Sequence, residues 1–182
     1  MLVYRSANAP ELMQARLTEL EARSAACEAQ LSTERERSKA TGPAAWVLSR
    51  QVDEGSVHVV TLKRLSNVGT AGIEAKSVRR FLADGWAVLQ VQVRNGSGQP
   101  WRPGRAWLES AATGRRTDAR TVSMEPEVLA PKTSGRVAMD FAGPPGSVGE
   151  VLRLVVEDAD GARRLSVAGV VVQDTAQEKS GP

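Results

Sequence analysis

Few residues in this chain could do chemistry, and they stand far apart. His58 is the single histidine and Cys27 the single cysteine, so one chain can build neither a multi-histidine metal centre nor an internal disulfide. Ser, Asp and Glu are scattered without a spacing that pairs a nucleophile with a base. The expectation is a protein that is not an enzyme, with no catalytic residues, no metal and no cofactor. Asp158-Ala-Asp160-Gly161 offers two carboxylates, but a calcium loop needs several more oxygen ligands at ordered spacings. Asn67 to Ile73 contains two glycines yet lacks the Lys-Ser/Thr ending of a phosphate-binding loop, and reads as a flexible connection.

Binding chemistry is better represented. Trp101-Arg102 and Arg105-Ala-Trp107 set two aromatic rings beside two guanidinium groups, a combination that stacks on sugar rings and engages acidic groups. Trp101, Arg102, Arg105 and Trp107 are therefore the candidate surface binding site, with a cell-envelope glycan or other polymer as ligand. The competing reading is that two tryptophans near hairpin ends close a core. Lys76, Arg79 and Arg80 could hold a polyanion, or sit in a solvated connector between strands. Residues 76 to 120 carry nine Lys or Arg against three Asp or Glu, and residues 121 to 182 carry six against nine. The net charge of only +3 is weak support for nucleic acid, which is the disfavoured class of partner. Asn95-Gly96-Ser97 matches a glycosylation acceptor and equally a tight turn; the turn is the preferred reading.

These residues must be positioned by a helix and a set of strands. From Pro10, a good first helical residue, helix formers run without Gly or Pro to Gly42-Pro43. The apolar stripe Met13, Leu17, Leu20, Cys27 and Leu31 alternates spacings of four and three, as in a short coiled coil, with Ser24 as its weak point. It predicts a homo-oligomer formed through the helical arm, with docking on the chain's own β domain as the alternative. Cys27 reads as a small apolar residue that a parallel dimer would bring next to its copy.

Beyond the helix, short alternating runs are divided by Gly- and Pro-rich turns. The clearest is Trp86 to Arg94, where Leu89, Val91 and Val93 alternate with Gln90, Gln92 and Arg94. Val57 to Leu65, Arg105 to Glu109, Arg115 to Val122 and Gly135 to Phe141 are of the same kind. Val151 to Glu157 and Arg163 to Val172 form a hairpin across Asp158 to Gly161. Residues 75 to 84 read as a helical turn or irregular edge. Together these predict a mainly β protein: an immunoglobulin-like antiparallel β-sandwich of about seven strands preceded by a long amino-terminal α-helix, with a partly open barrel as the runner-up. The expected division is a helical arm at 1–42, a junction at 43–56 anchored by Trp46, a β domain at 57–173 and a flexible tail at 174–182. No apolar run is long enough to span a bilayer, so no membrane insertion is expected.

The chain resembles an uncharacterised paralogous family found in myxobacteria, a family of domains of unknown function. The resemblance runs through Val3-Tyr4-Arg5, the Pro10-Glu11 helix with Cys27, Gly42-Pro43-Ala44, Trp86-Ala-Val-Leu with the Asn95 to Gly104 turn, Met124-Glu125-Pro126, Leu129-Ala130-Pro131, Ser134 to Val137 and Asp158 to Gly161. It implies a shorter member, or the carboxy-terminal two-thirds of a longer parent, and a periplasmic or otherwise extracytoplasmic location. The chain opens without a signal peptide, which makes the cytoplasm the alternative. The resemblance transfers no catalytic or ligand-binding residue. The functional expectation is a non-catalytic protein-protein interaction or scaffold module that self-associates through its helix and binds an unidentified protein partner; the alternative is a glycan-binding module.

Overall fold

The structure, a computed structural model, describes residues 9–52, 57–62, 66–69 and 72–173. The expected tail at 174–182 and the fragment Leu2-Val3-Tyr4 lie outside the described residues. The chain divides into two compact units, 1–38 and 39–182. The described part of the first lies in helix α1, Ala9–Thr41, whose last three residues belong to the second unit and whose 33 residues span about 50 Å at 1.5 Å each. Its bounds agree with the run between Pro10 and Gly42.

The second unit is mainly β. It begins with the short helix α2, Pro43–Leu48, which has Pro43 in its first turn. Ten strands follow among the described residues: β1 His58–Thr61, β2 Ser66–Gly69, β3 Ile73–Ala83, β4 Trp86–Asn95, β5 Pro103–Ser110, β6 Arg116–Asp118, β7 Thr121–Glu125, β8 Ser134–Phe141, β9 Leu152–Asp158 and β10 Arg164–Val170. They form two five-stranded antiparallel sheets, ordered β1-β3-β4-β8-β7 and β2-β10-β9-β5-β6. The expectation of two antiparallel sheets behind a long helix holds. The expected count of about seven is raised, because three stretches were read too coarsely. Asn67 lies in strand β2, paired with β10. Residues 73–83 are one long strand, in which a register shift between Ala75 and Ser77 interrupts the alternation. Arg115 to Val122 is two strands, because the chain passes from the second sheet to the first at Ala119-Arg120.

The inner faces of both sheets supply one core. Val78 and Leu82 of β3, Leu89, Val91 and Val93 of β4, Val137, Met139 and Phe141 of β8, and Leu154 and Val156 of β9 meet there. Burial of these side chains is the main stabilising term, about 1.5–3 kcal/mol for each fully buried aliphatic residue. Strand β4 is central, hydrogen-bonded to β3 on one side and β8 on the other.

A second, smaller core lies on the outer face of the first sheet. Ala44, Val47 and Leu48 of α2 pack there with Phe81, Val88 and Ala138. A six-residue helix has no stability of its own in water, so this burial is what holds α2 in place. Trp46, the expected anchor, is 44% exposed; the anchor is the opposite side of the same turn. The Asn95 turn is built as expected. The Asn95 side-chain amide donates to the carbonyls of Gln99 at 2.8 Å and Leu129 at 3.1 Å, while its oxygen accepts from the Ser97 N–H at 3.0 Å. Asn95 is fully buried, so its amide serves the turn and is not presented for modification.

Candidate functional site

Strand register brings together polar side chains that are distant in sequence. On the outer face of the first sheet Phe81 pairs with Val88, Arg79 with Gln90 and Ser77 with Gln92; across β4, Gln90 pairs with Ala138 and Gln92 with Arg136. Alternation puts all of these on one face. Helix α2 covers Phe81, Val88 and, in the next row, Ala138. A groove of about 660 Å³ remains, lined by Val47, Arg50 and Val52 on the helix side and by Ser77, Arg79, Phe81, Gln90, Gln92 and Arg136 on the sheet.

Among the described residues of the lining three are arginines and none is acidic. Arg79 lies with its guanidinium carbon 5.1 Å from the centre of the Phe81 ring. Arg136 pairs with Glu125 on β7, the partner being 58% exposed. Arg50 follows the end of α2, where the Gln51 N–H donates to the Trp46 carbonyl at 2.9 Å and the Arg50 N–H to that of Val47 at 3.4 Å. This helix-ending motif needs a left-handed residue, and Arg50 takes it with φ of 57° where glycine is the usual occupant. Gln90 is only 7% exposed, although it belongs to the polar side of the β4 alternation.

The sequence-predicted binding residues do not assemble into one patch. Trp101 is 1% exposed and belongs to the core between the sheets, fixed by reciprocal backbone bonds with Leu129 of 3.0 and 2.8 Å. This corrects its placement at the surface: the turn after β4 folds inward to bridge to Leu129, carrying the ring with it. Trp107 is 8% exposed on the outer face of the second sheet, with the Arg116 guanidinium 3.9 Å from its ring centre and that of Arg164 at 5.9 Å. Arg102 pairs with Glu127 at 3.0 Å and Arg105 with Glu157 at 2.9 Å. Arg164 also reaches Glu157, at 2.8 Å. Hydrogen bonding from Arg164 outweighs the effect of burial and, with Arg105, holds the Glu157 carboxyl below its ordinary range. The basic stretch 76–120 is thus partly matched across strands by the acidic stretch after it, as in the Arg120–Asp140 pair at 2.9 Å.

A family model described as "Protein of unknown function (DUF2381)" matches residues 1–170. The chain belongs to this family. Among curated proteins, none matches it.

The remaining candidates of this DUF2381 chain lie on α1. Met13, Leu17, Leu20 and Leu31 are 71%, 59%, 56% and 52% exposed, and Cys27 is also exposed. His58 sits exposed on β1. Among the described residues no group of three or more His, Cys, Asp or Glu could hold a metal ion, and no helix is long and apolar enough to cross a membrane. Sequence reasoning missed the groove. Its one local signal was Arg79 next to Arg80, and that signal was mixed, because adjacent residues of a strand face opposite ways. Arg80 turns inward, is fully buried and donates to the carbonyls of Val171 and Val172 at 3.2 and 2.9 Å.

Proposed function

We propose that this chain is a non-catalytic interaction module that self-associates through α1, two copies aligning in parallel. The observation that carries this reading is the exposed seam together with its flanking charges. With Leu17, Ser24 and Leu31 at the a positions of a heptad, Met13, Leu20 and Cys27 fall at d, Arg16 and Arg23 at g, and Glu21 and Glu28 at e. In a parallel pair in register, each g residue faces the e residue of the next heptad on the other helix. Arg16 then meets Glu21 of the second copy, and Arg23 meets Glu28. An antiparallel pair would set arginine against arginine and glutamate against glutamate, so the charges select one orientation. Ser24 at a central position weakens the seam and favours a reversible dimer.

The β unit is read as immunoglobulin-like in architecture. Leaving β1 and β2 aside, β3 to β10 stand in the orders 3-4-8-7 and 10-9-5-6, which follow the A-B-E-D and G-F-C arrangement of that fold with one added strand beside C. Such a unit presents loops and sheet faces on a rigid scaffold, consistent with a binding role.

Light scattering of the full chain tests the self-association. The expected mass is twice 19.4 kDa, falling to the monomer in a Leu17→Glu, Leu20→Glu variant whose sheet signal in circular dichroism is unchanged. Mild oxidation is expected to join Cys27 to its copy, because a d position of a parallel coil places the two thiols side by side. A wild-type chain that remains monomeric at high micromolar concentration overturns the reading, and a dimer that forms no such cross-link overturns the parallel register.

A further inference from the structure

We propose that the groove between α2 and the outer face of the first sheet binds an extended acidic peptide segment of a partner protein. This is independent of how α1 associates.

Charge comes first. Arg50, Arg79 and Arg136 reach the groove from three different elements, the turn after α2, strand β3 and strand β8. Three cations gathered over one cavity, with no acidic residue among the described residues of its lining, favour an anion that carries more than one charge. The Arg136 partner, Glu125, lies outside the lining and is well exposed. An exposed ion pair of this kind is weak, so a ligand carboxylate can replace Glu125 at little cost.

The backbone supplies a second observation. Arg50 occupies a left-handed position that glycine would take without strain. A long cationic side chain held at a strained backbone position beside a cavity is the kind of outlier that marks a binding site.

Shape and hydrogen bonding select the class of anion. The groove is far larger than a single phosphate or sulfate ion and falls within the range of about 300–1,000 Å³ typical of ligand sites. Gln90 and Gln92 lie side by side along it, each carrying a donor and an acceptor, the pair of functions that a peptide group presents. Val47 and Val52 offer apolar wall for a side chain between two carboxylates. Sugars and nucleic-acid bases are disfavoured, because the one aromatic ring, Phe81, is 4% exposed and has the Arg79 guanidinium near it. No open aromatic face is left for stacking.

The test uses the full chain and a short fluorescein-labelled peptide of alternating Glu and Val, followed by fluorescence anisotropy at low salt. The expected result is saturable binding that the Gln-and-Val counterpart does not show. Arg79→Ala and Arg136→Ala should each weaken it by about tenfold or more, while Arg105→Ala, on the other sheet, should change it by less than about twofold. Arg50→Gly keeps the test sharp if Arg79→Ala loosens the packing around Phe81: it retains the helix end and removes only the cation, and it too should weaken binding. The proposal is overturned if the acidic peptide does not bind, if Arg105→Ala weakens binding as much as Arg136→Ala, or if an oligogalacturonate or single-stranded DNA displaces the peptide at lower concentration than unlabelled peptide does.

Discussion

On the outer face of the second sheet, Arg105 and Arg164 both close on Glu157, at 2.9 and 2.8 Å, and Arg116 lies over Trp107. On the outer face of the first, Arg79 and Arg136 stand in register beside Gln90 and Gln92, with Arg50 across the groove and no carboxylate among the described residues of the lining. Both faces carry arginines and at least one large aromatic ring. They differ in what covers them. The second face covers itself with its own side chains, Arg105 and Arg164 sharing Glu157 and Arg116 pairing with Asp118. The first is covered in part by α2, and where that short helix stops the arginines line a cavity. A matched array offers a ligand little, since binding must first break pairs already formed and no cavity is at hand, whereas several arginines round a cavity give a ligand both room and positive potential.

Truncating one covered aromatic ring on each face should separate these two modes of cover most strongly. Phe81 lies beneath α2, so Phe81→Ala leaves a hole that backbone and packed side chains cannot fill, at a cost of about 3 kcal/mol or more. Trp107 lies beneath arginine side chains that can collapse or admit water, so Trp107→Ala should lose mainly its transfer free energy, about 2 kcal/mol. Denaturant unfolding of both variants checks the order, and a larger loss for Trp107→Ala would break the comparison.

Relieving backbone strain should have the next largest effect, and of opposite sign. Arg50→Gly is expected to raise stability by up to about 1 kcal/mol, because glycine accepts a φ of 57° freely. A loss of stability would show that the Arg50 side chain is itself a structural support.

The smallest effect concerns the matched face. Glu157 is held below its ordinary value of 4.5 by Arg164 and Arg105. Its folded form therefore binds protons less readily than its unfolded form, and its contribution is complete above pH 4.5 and is lost as the pH falls from there toward the folded value. Glu157→Gln should cost under about 1 kcal/mol at neutral pH, since both arginine partners are well exposed, and should flatten the acid limb of the stability profile. Stability curves of the two proteins that stay parallel from pH 7 to pH 3 would remove Glu157 from that account.

Much of the fold was legible in the chain. The run from Pro10 to Gly42 marked α1 to within a residue or two. The alternation from Trp86 to Arg94 marked β4, and Asp158 to Gly161 marked the β9–β10 hairpin. These are local signals, carried by neighbours in sequence. Strand β3 was not legible, because the register shift between Ala75 and Ser77 breaks its alternation and two adjacent arginines look like solvated loop. The tryptophans misled for a related reason. Trp101 and Trp107 are six residues apart, yet one enters the core through a bridge to Leu129 and the other lies on an outer face.

By itself the sequence determined the elements: one long polar helix with a spaced apolar seam, strands with one face suited to a core, and the turns between them. It also determined the heptad positions of the charges on α1, since helical spacing depends on nothing outside the helix. Only the tertiary structure decided which outer face receives a cover and how far that cover extends. Period-two alternation assigns a side chain to a face but does not say what lies above it. That depends on register between strands far apart in sequence and on where α2 lands, and the groove lies where the cover of Phe81, Val88 and Ala138 by α2 ends.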